Sequence, residues 1–213
     1  MKKTFSVRTM AEVAIFAALG YVLDFLAGVY SAPLFINGGS VGIAMVCIYV
    51  VAYRRGFFHA LLVGLIMGLL DIADGFYAIA DVWYKAFAQV ALDYWLAYPL
   101  VAFAGLFKGM FDRAGDNKHR ILAVVYGCAL GGILKYIAHI LSGVLFWGDY
   151  FDRDFLNISN PYLYSIVYNG LYMIPCIILS GAIMIFIVAK YTKVLTEPDE
   201  YSLRVASQNK GDK

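Results

Sequence analysis

Apolar residues gather along the chain in six long blocks, 9–29, 40–53, 57–73, 85–107, 121–147 and 162–191, separated by short polar stretches. A helix needs about 20 predominantly apolar residues to cross the hydrocarbon of a bilayer. The pattern therefore predicts an all-α fold, an integral membrane bundle of six transmembrane helices. The second and third blocks are short, and the YRRG between them (53–56) reads as a tight turn joining antiparallel helices. The last two are long enough to tilt. MKKTFSVR has the basic character of a signal-peptide start, but Glu12 and Asp24 interrupt the apolar region behind it and Pro33 follows the only small-residue stretch. The first block is accordingly expected to be a retained helix.

Composition agrees with the pattern. Of 213 residues, 62% are hydrophobic and 15% charged, and the mean hydropathy is +0.72. Soluble domains are usually nearer half apolar and a quarter charged. Charge adds orientation. All of the 17 basic residues except Lys85, Lys135 and Arg153 lie in the N-terminus, the YRRG turn, the loop FKGMFDRAGDNKHR or the C-terminal tail, which share one side of a six-span bundle. The intervening loops carry Asp74, Asp81, Asp149, Asp152 and Asp154 instead. Both termini are therefore expected in the cytoplasm. The expected organisation is one membrane domain, residues 1–192, followed by a polar cytoplasmic tail, 193–213.

Other classes find little footing. A net charge of +2, with basic residues scattered among apolar runs, argues against nucleic acid. Cys47, Cys128 and Cys176 stand singly, without metal-ligand or disulfide spacing, so no metal or cofactor is expected. No GxxxxGK[ST] motif occurs in these residues, which removes ATP hydrolysis by a P-loop. No clear internal repeat of the kind found in many secondary transporters is visible.

Polar residues inside the apolar blocks carry the functional information, because an ionisable group in lipid must face protein or water. In ILKYIAHILSGVLFWGDYF (133–151), Lys135, His139, Ser142 or Gly143, and Phe146 or Trp147 share one helical face. In AQVALDYWLAYPL (88–100), Gln89 and Asp93 lie one turn apart with Tyr94 adjacent, and YSIVYNG (164–170) supplies Tyr164, Tyr168 and Asn169. Together these suggest a pocket that opens outward. The competing reading for Lys135 is a purely structural ion pair between helices. Trp83, Tyr84, Tyr150 and Phe151 read as interfacial belt residues. Asp71 and Asp74 read as helix-end or loop carboxylates, and His59 and His119 as solvated or headgroup-facing.

LKYIAHILSGVLFWGDY, ALDYWLAYPLVAFAGLF, NGGSVGIAM before YRRG, and YSIVYNG, in this order, resemble the thiamine-specific substrate-binding subunit (S component) of energy-coupling factor (ECF) transporters. The resemblance runs from EVAIFAAL at residue 12 to about residue 190. It implies a high-affinity thiamine-binding membrane subunit, not an enzyme, driven by a separate transmembrane coupling protein and two ATPase subunits in a bacterial plasma membrane. It further implies that Trp147 stacks on the aminopyrimidine, that Tyr164 and Asn169 bond its edge, and that His139 lies beside the thiazolium. Asp93 would interact with both rings, Tyr94 and the Gly143 backbone would sit near the hydroxyethyl end, and Lys135, with Gln89 in support, would balance acidic groups. Ala14 and Ala18 would form the small-residue face that docks on the coupling protein. Asp93 stands where some members have Glu, and the tryptophan that some carry in the first outer loop is not evident in SAPLFINGGS. The rival readings are a stand-alone secondary transporter for thiamine or a related organic cation, a binding subunit for a thiamine precursor, and a membrane enzyme using Asp93 with His139.

Overall fold

The computed structural model describes residues 6–35, 38–76, 78–79, 82–147 and 156–196. They form helices α1 (Val7–Ser31), α2 (Met45–Arg55), α3 (Phe57–Asp74), α4 (Trp83–Arg113), α5 (Asn117–Phe146) and α6 (Pro161–Leu195). There is no strand among the described residues. The starts are capped as the sequence permits. Ser6 Oγ accepts from Thr9 N–H, Asp116 from His119 N–H, and Asn160 from Tyr162 and Leu163 N–H ahead of Pro161.

Five of the six helices are long and apolar enough to cross a membrane. The exception is α2, expected to span over 40–53. At 11 residues it reaches only about 16 Å, roughly half the hydrocarbon thickness. The rest of that passage, residues 38–44, is non-helical, because Gly38 and Gly39 take positive φ angles of 89° and 106°. Side chains satisfy its backbone: Tyr168 OH donates to Gly38 O, Cys176 Sγ–H to Ser40 O and Tyr30 OH to Val41 O, while Ser31 Oγ accepts from Val41 N–H. Irregular backbone inside a membrane bundle requires this kind of compensation.

In α1, Thr9, Val13, Ala17, Gly20, Ala27 and Ser31 form the buried stripe. Ala14 and Ala18 lie off it and are exposed. At one end of the bundle Glu12 accepts from Arg54 Nε at 3.1 Å and from Arg55 Nε and Nη2 at 2.7 Å. Arg54 Nη1 also donates to Val194 O. The start of α1, the end of α2 and the end of α6 are thus tied together, so both ends of the described chain lie at one end of the bundle. His59, expected to be solvated, is buried there, with Nδ1 3.1 Å from Arg55 O. α6 continues to Leu195, past the expected boundary at 192, and most of the tail lies outside the described residues.

α4 is the irregular helix. Pro99 has no N–H for the Trp95 carbonyl, and the turn before it, Ala91–Leu96, is a π-helix; Ala102–Phe107 is 3-10. Two glycines of α3, one turn apart, let this segment approach closely. A Cβ on Gly64 would lie 2.7 Å from Pro99 N, and one on Gly68 2.5 Å from Tyr94 O. Neither obstacle is a flexible side chain. Gly68→Ala is therefore expected to destabilise the fold by about 1–3 kcal/mol through overpacking, seen as a lower unfolding temperature in detergent. An unchanged transition would contradict the close approach.

Candidate functional site

A cavity of about 650 Å³ lies at the end of the bundle opposite the Glu12 cluster. It is walled by the last turns of α1 and α3, segment 38–44, the π-helical turn of α4, the second half of α5 and the first half of α6. That volume suits a small organic ligand. Asp93, Tyr94, His139, Gly143, Trp147, Tyr164, Asn169, Lys135 and Gln89 all line it. Three separate stretches of sequence therefore converge on one space.

The α5 face supplies Lys135, His139, Ser142, Gly143 and Trp147, while Ile133, Ile137, Leu141 and Leu145 on the other side of the helix are exposed. This is the inward orientation that a lysine in a lipid-surrounded helix demands. Trp147 caps the helix, its N–H donating to Gly143 O at 3.2 Å. His139 Nδ1 stands 3.6 Å from Asp93 Oδ1, within ion-pair reach but too long for a hydrogen bond. Gln89, 1% exposed, accepts the Ile79 N–H through Oε1 and so fastens the preceding loop to α4.

Lys135, only 8% exposed, makes no ion pair with Asp93 among the described residues. Its Nζ lies 3.9 Å from the centroid of the Tyr98 ring, a cation–π contact. Tyr98 OH in turn donates to Asp24 Oδ2 at 2.6 Å. Asp71, expected at a helix end or in a loop, lies in the last turn of α3 and also lines the cavity. Three carboxylates against one ammonium give the cavity the charge of a site for a cation.

Aromatic rings form the remaining wall. Tyr164 and Tyr168 stack with centroids 5.7 Å apart and planes 11° from parallel. Phe35, from the loop where no tryptophan is evident, meets Tyr168 and Tyr172 edge-on, and Tyr172 meets His139 at 5.9 Å. Sequence reasoning passed over Phe35, Tyr98, Ser165 and Tyr172. Tyr172 was legible in retrospect, lying one turn beyond Tyr168 on the face that carries Tyr164. Trp83 and Tyr84 are exposed at the start of α4, away from the cavity wall, while Tyr150 and Phe151 lie outside the described residues. No group of residues able to hold a metal occurs among the described ones.

Residues 10–196 match the family model described as Thiamine transporter protein (Thia_YuaJ). The chain belongs to this family of thiamine transporters. It is 31% identical over 179 residues to the thiamine transporter ThiT of Bacillus subtilis (strain 168), covering 82% of this chain and 87% of that one. It is 32% identical over 165 residues to ThiT of Lacticaseibacillus paracasei, covering 75% and 76%. A solved structure of ThiT from Listeria monocytogenes superposes with a TM-score of 0.74 at 30% identity, covering 90% of this chain and 98% of that one. The chain is thus a multi-pass protein of the bacterial cell membrane and a transport protein rather than an enzyme.

The Tyr98 bridge is open to direct measurement. Tyr98→Phe keeps the ring under Lys135 and removes the donor to Asp24, so a loss of about 1–3 kcal/mol in stability is expected for a charge-assisted contact. Thermal unfolding in detergent reads it, and a wild-type transition would show that the contact contributes nothing.

Proposed function

We propose that this chain is the high-affinity thiamine-binding subunit of an ATP-driven ECF-type uptake transporter, with ATP hydrolysis on separate subunits. The observation that carries the reading is the convergence of Asp93, His139, Trp147, Tyr164 and Asn169 on one cavity in a chain of the thiamine transporter family. Thiamine has a permanently charged thiazolium and a flat aminopyrimidine. A carboxylate away from bulk water is a far stronger partner for that cation than one in water. Stacking on Trp147 and cation–π contact with the aromatic wall add about 0.5–2 kcal/mol each. His139 and Asp93 serve the thiazolium side, Tyr164 and Asn169 the pyrimidine edge, and Tyr94 with the Gly143 backbone the hydroxyethyl end. Lys135 and Gln89 hold the acidic floor and the loop that surround them.

Both termini face the cytoplasm in this reading and the cavity faces outward. The grouping of basic residues at the termini and the YRRG turn supports it, as does the position of the cavity at the far end of the bundle. Ala14 and Ala18 supply the docking face for the coupling protein. They are exposed, one turn apart and off the buried stripe of α1, and small residues permit the close helix contact on which association in lipid depends. A stand-alone secondary transporter would share the cavity but have no use for that face.

Two expectations test the reading. Asp93→Asn is expected to weaken thiamine binding by roughly 2–4 kcal/mol while the protein still folds; calorimetry on purified protein measures this, and wild-type affinity in the variant would remove Asp93 from the site. Ala14→Trp combined with Ala18→Trp is expected to leave thiamine binding intact and abolish uptake in vesicles holding the coupling protein and ATPases. Thiamine accumulation by this chain alone, driven by an ion gradient, would replace the subunit reading with the secondary transporter.

A further inference from the structure

Asn169 is held at both ends of its amide, and one backbone carbonyl determines which end is which. Ser165 Oγ lies 2.9 Å from Ile140 O, a group that can only accept, so the serine hydroxyl donates there. Its oxygen is then left to accept. The Asn169 group facing Ser165, 3.2 Å from Oγ and 2.8 Å from Ser165 O, must therefore be the Nδ2 amine. The amide oxygen consequently points the other way, where Tyr172 OH donates to it. Proton direction is fixed along the whole series, from Tyr172 through Asn169 and Ser165 to Ile140. Gly143 makes room for it, since a methyl group at that position would collide with Ser165 Oγ.

Tyr172, Asn169 and Ser165 are all buried, and turning the amide over would set Nδ2 against the Tyr172 hydroxyl and Oδ1 against the Ser165 carbonyl. The second of these places two acceptors face to face with no proton between them, a cost of the order of a lost buried hydrogen bond. Both N–H groups of Asn169 have partners on Ser165. What Asn169 can still offer the cavity is the second lone pair of Oδ1.

We propose that Ser165 and Tyr172 are positioning residues that lock Asn169 as a hydrogen-bond acceptor. Through that lock the cavity selects a heterocycle presenting an amino N–H at this edge over one presenting an oxygen. The inference rests on the thiamine reading above, in which the aminopyrimidine edge meets Asn169. It explains why a tyrosine that also packs edge-on against His139 and Phe35 carries a hydroxyl at all, since a phenylalanine would make the same ring contacts.

The test is titration calorimetry of the purified full-length chain with thiamine and with oxythiamine, in which an oxygen replaces the amino group. The wild type is expected to bind thiamine at least about tenfold more tightly, the scale of one hydrogen bond turned from favourable to repulsive. Tyr172→Phe keeps the ring packing and is expected to narrow that ratio. Ser165→Ala combined with Tyr172→Phe removes both side-chain partners of the amide, leaving only the residue-165 carbonyl to hold Nδ2, and is expected to narrow the ratio further. If the double variant does not fold, the single Tyr172→Phe variant decides. An equal loss of affinity for both compounds, with the ratio unchanged, marks a merely structural role and overturns the proposal, as does a wild type that binds the two alike. Saturable binding of neither compound by the wild type removes the thiamine reading and the lock with it.

Discussion

A charged side chain on a helix surrounded by lipid has to find protein or water, and the layout of this molecule follows from that constraint. Lys135, Asp24, Asp71 and Asp93 come from four different helices and all turn toward one cavity. Apolar residues on the opposite faces, such as Ile133, Ile137, Leu141 and Leu145 of α5, are left exposed. The inward groups do not simply neutralise each other. Tyr98 stands between Lys135 and Asp24, using its ring for the cation and its hydroxyl for the anion, which leaves Asp93 facing His139 and the open space.

Holding the acidic group of α4 at that space takes an irregular helix, and an irregular helix takes close neighbours. Pro99 interrupts the hydrogen-bond ladder, the π-helical turn before it carries both Asp93 and Tyr94, and Gly64 and Gly68 bring the backbone of α3 directly against it. On the other side of α4, Gly131 of α5 makes a similar approach to the Val101 carbonyl. Backbone-to-backbone packing of this kind leaves little room for Asp93 and Tyr94 to shift. A ligand that depends on a single carboxylate benefits from such fixed placement.

Much of the fold was legible because hydropathy in a membrane protein is a strong signal: all six blocks are helices, within a few residues except at α2 and the C-terminal end of α4. The second block misled because apolar composition counts residues and not conformation, and GGSVG (38–42) holds the backbone out of the helix, so that residues 40–44 of the block are non-helical. The cavity wall was legible wherever a polar residue interrupted an apolar face, as with Asp93, Lys135, His139 and Asn169. Asp71 stands at the helix end that its nearness to Asp74 and Gly75 suggests, and its place in the cavity wall went unread because a helix-end position does not tell which way the side chain faces. Phe35, Tyr98 and Tyr172 were passed over for another reason. Aromatic residues fill any membrane bundle, and only the three-dimensional arrangement distinguishes a ring that lines a site from one that packs a core.

His59 illustrates the limit of reading charge from neighbours. Beside Arg54 and Arg55 it has the look of a surface group, yet the arginines turn toward Glu12 and leave the imidazole covered against the Arg55 carbonyl. The same cluster closes the end of the bundle away from the cavity, so that the two ends differ in character: one sealed by ion pairs, the other open and lined with aromatic rings and carboxylates.

The most direct test is an experimental structure of the purified chain with thiamine bound. The expected result is thiamine inside the cavity, its thiazolium beside Asp93 and His139, its pyrimidine stacked on Trp147 and its amino group on Asn169 Oδ1. Thiamine bound elsewhere on the bundle, or inside the cavity with neither ring near Asp93 or Trp147, would contradict the proposed site.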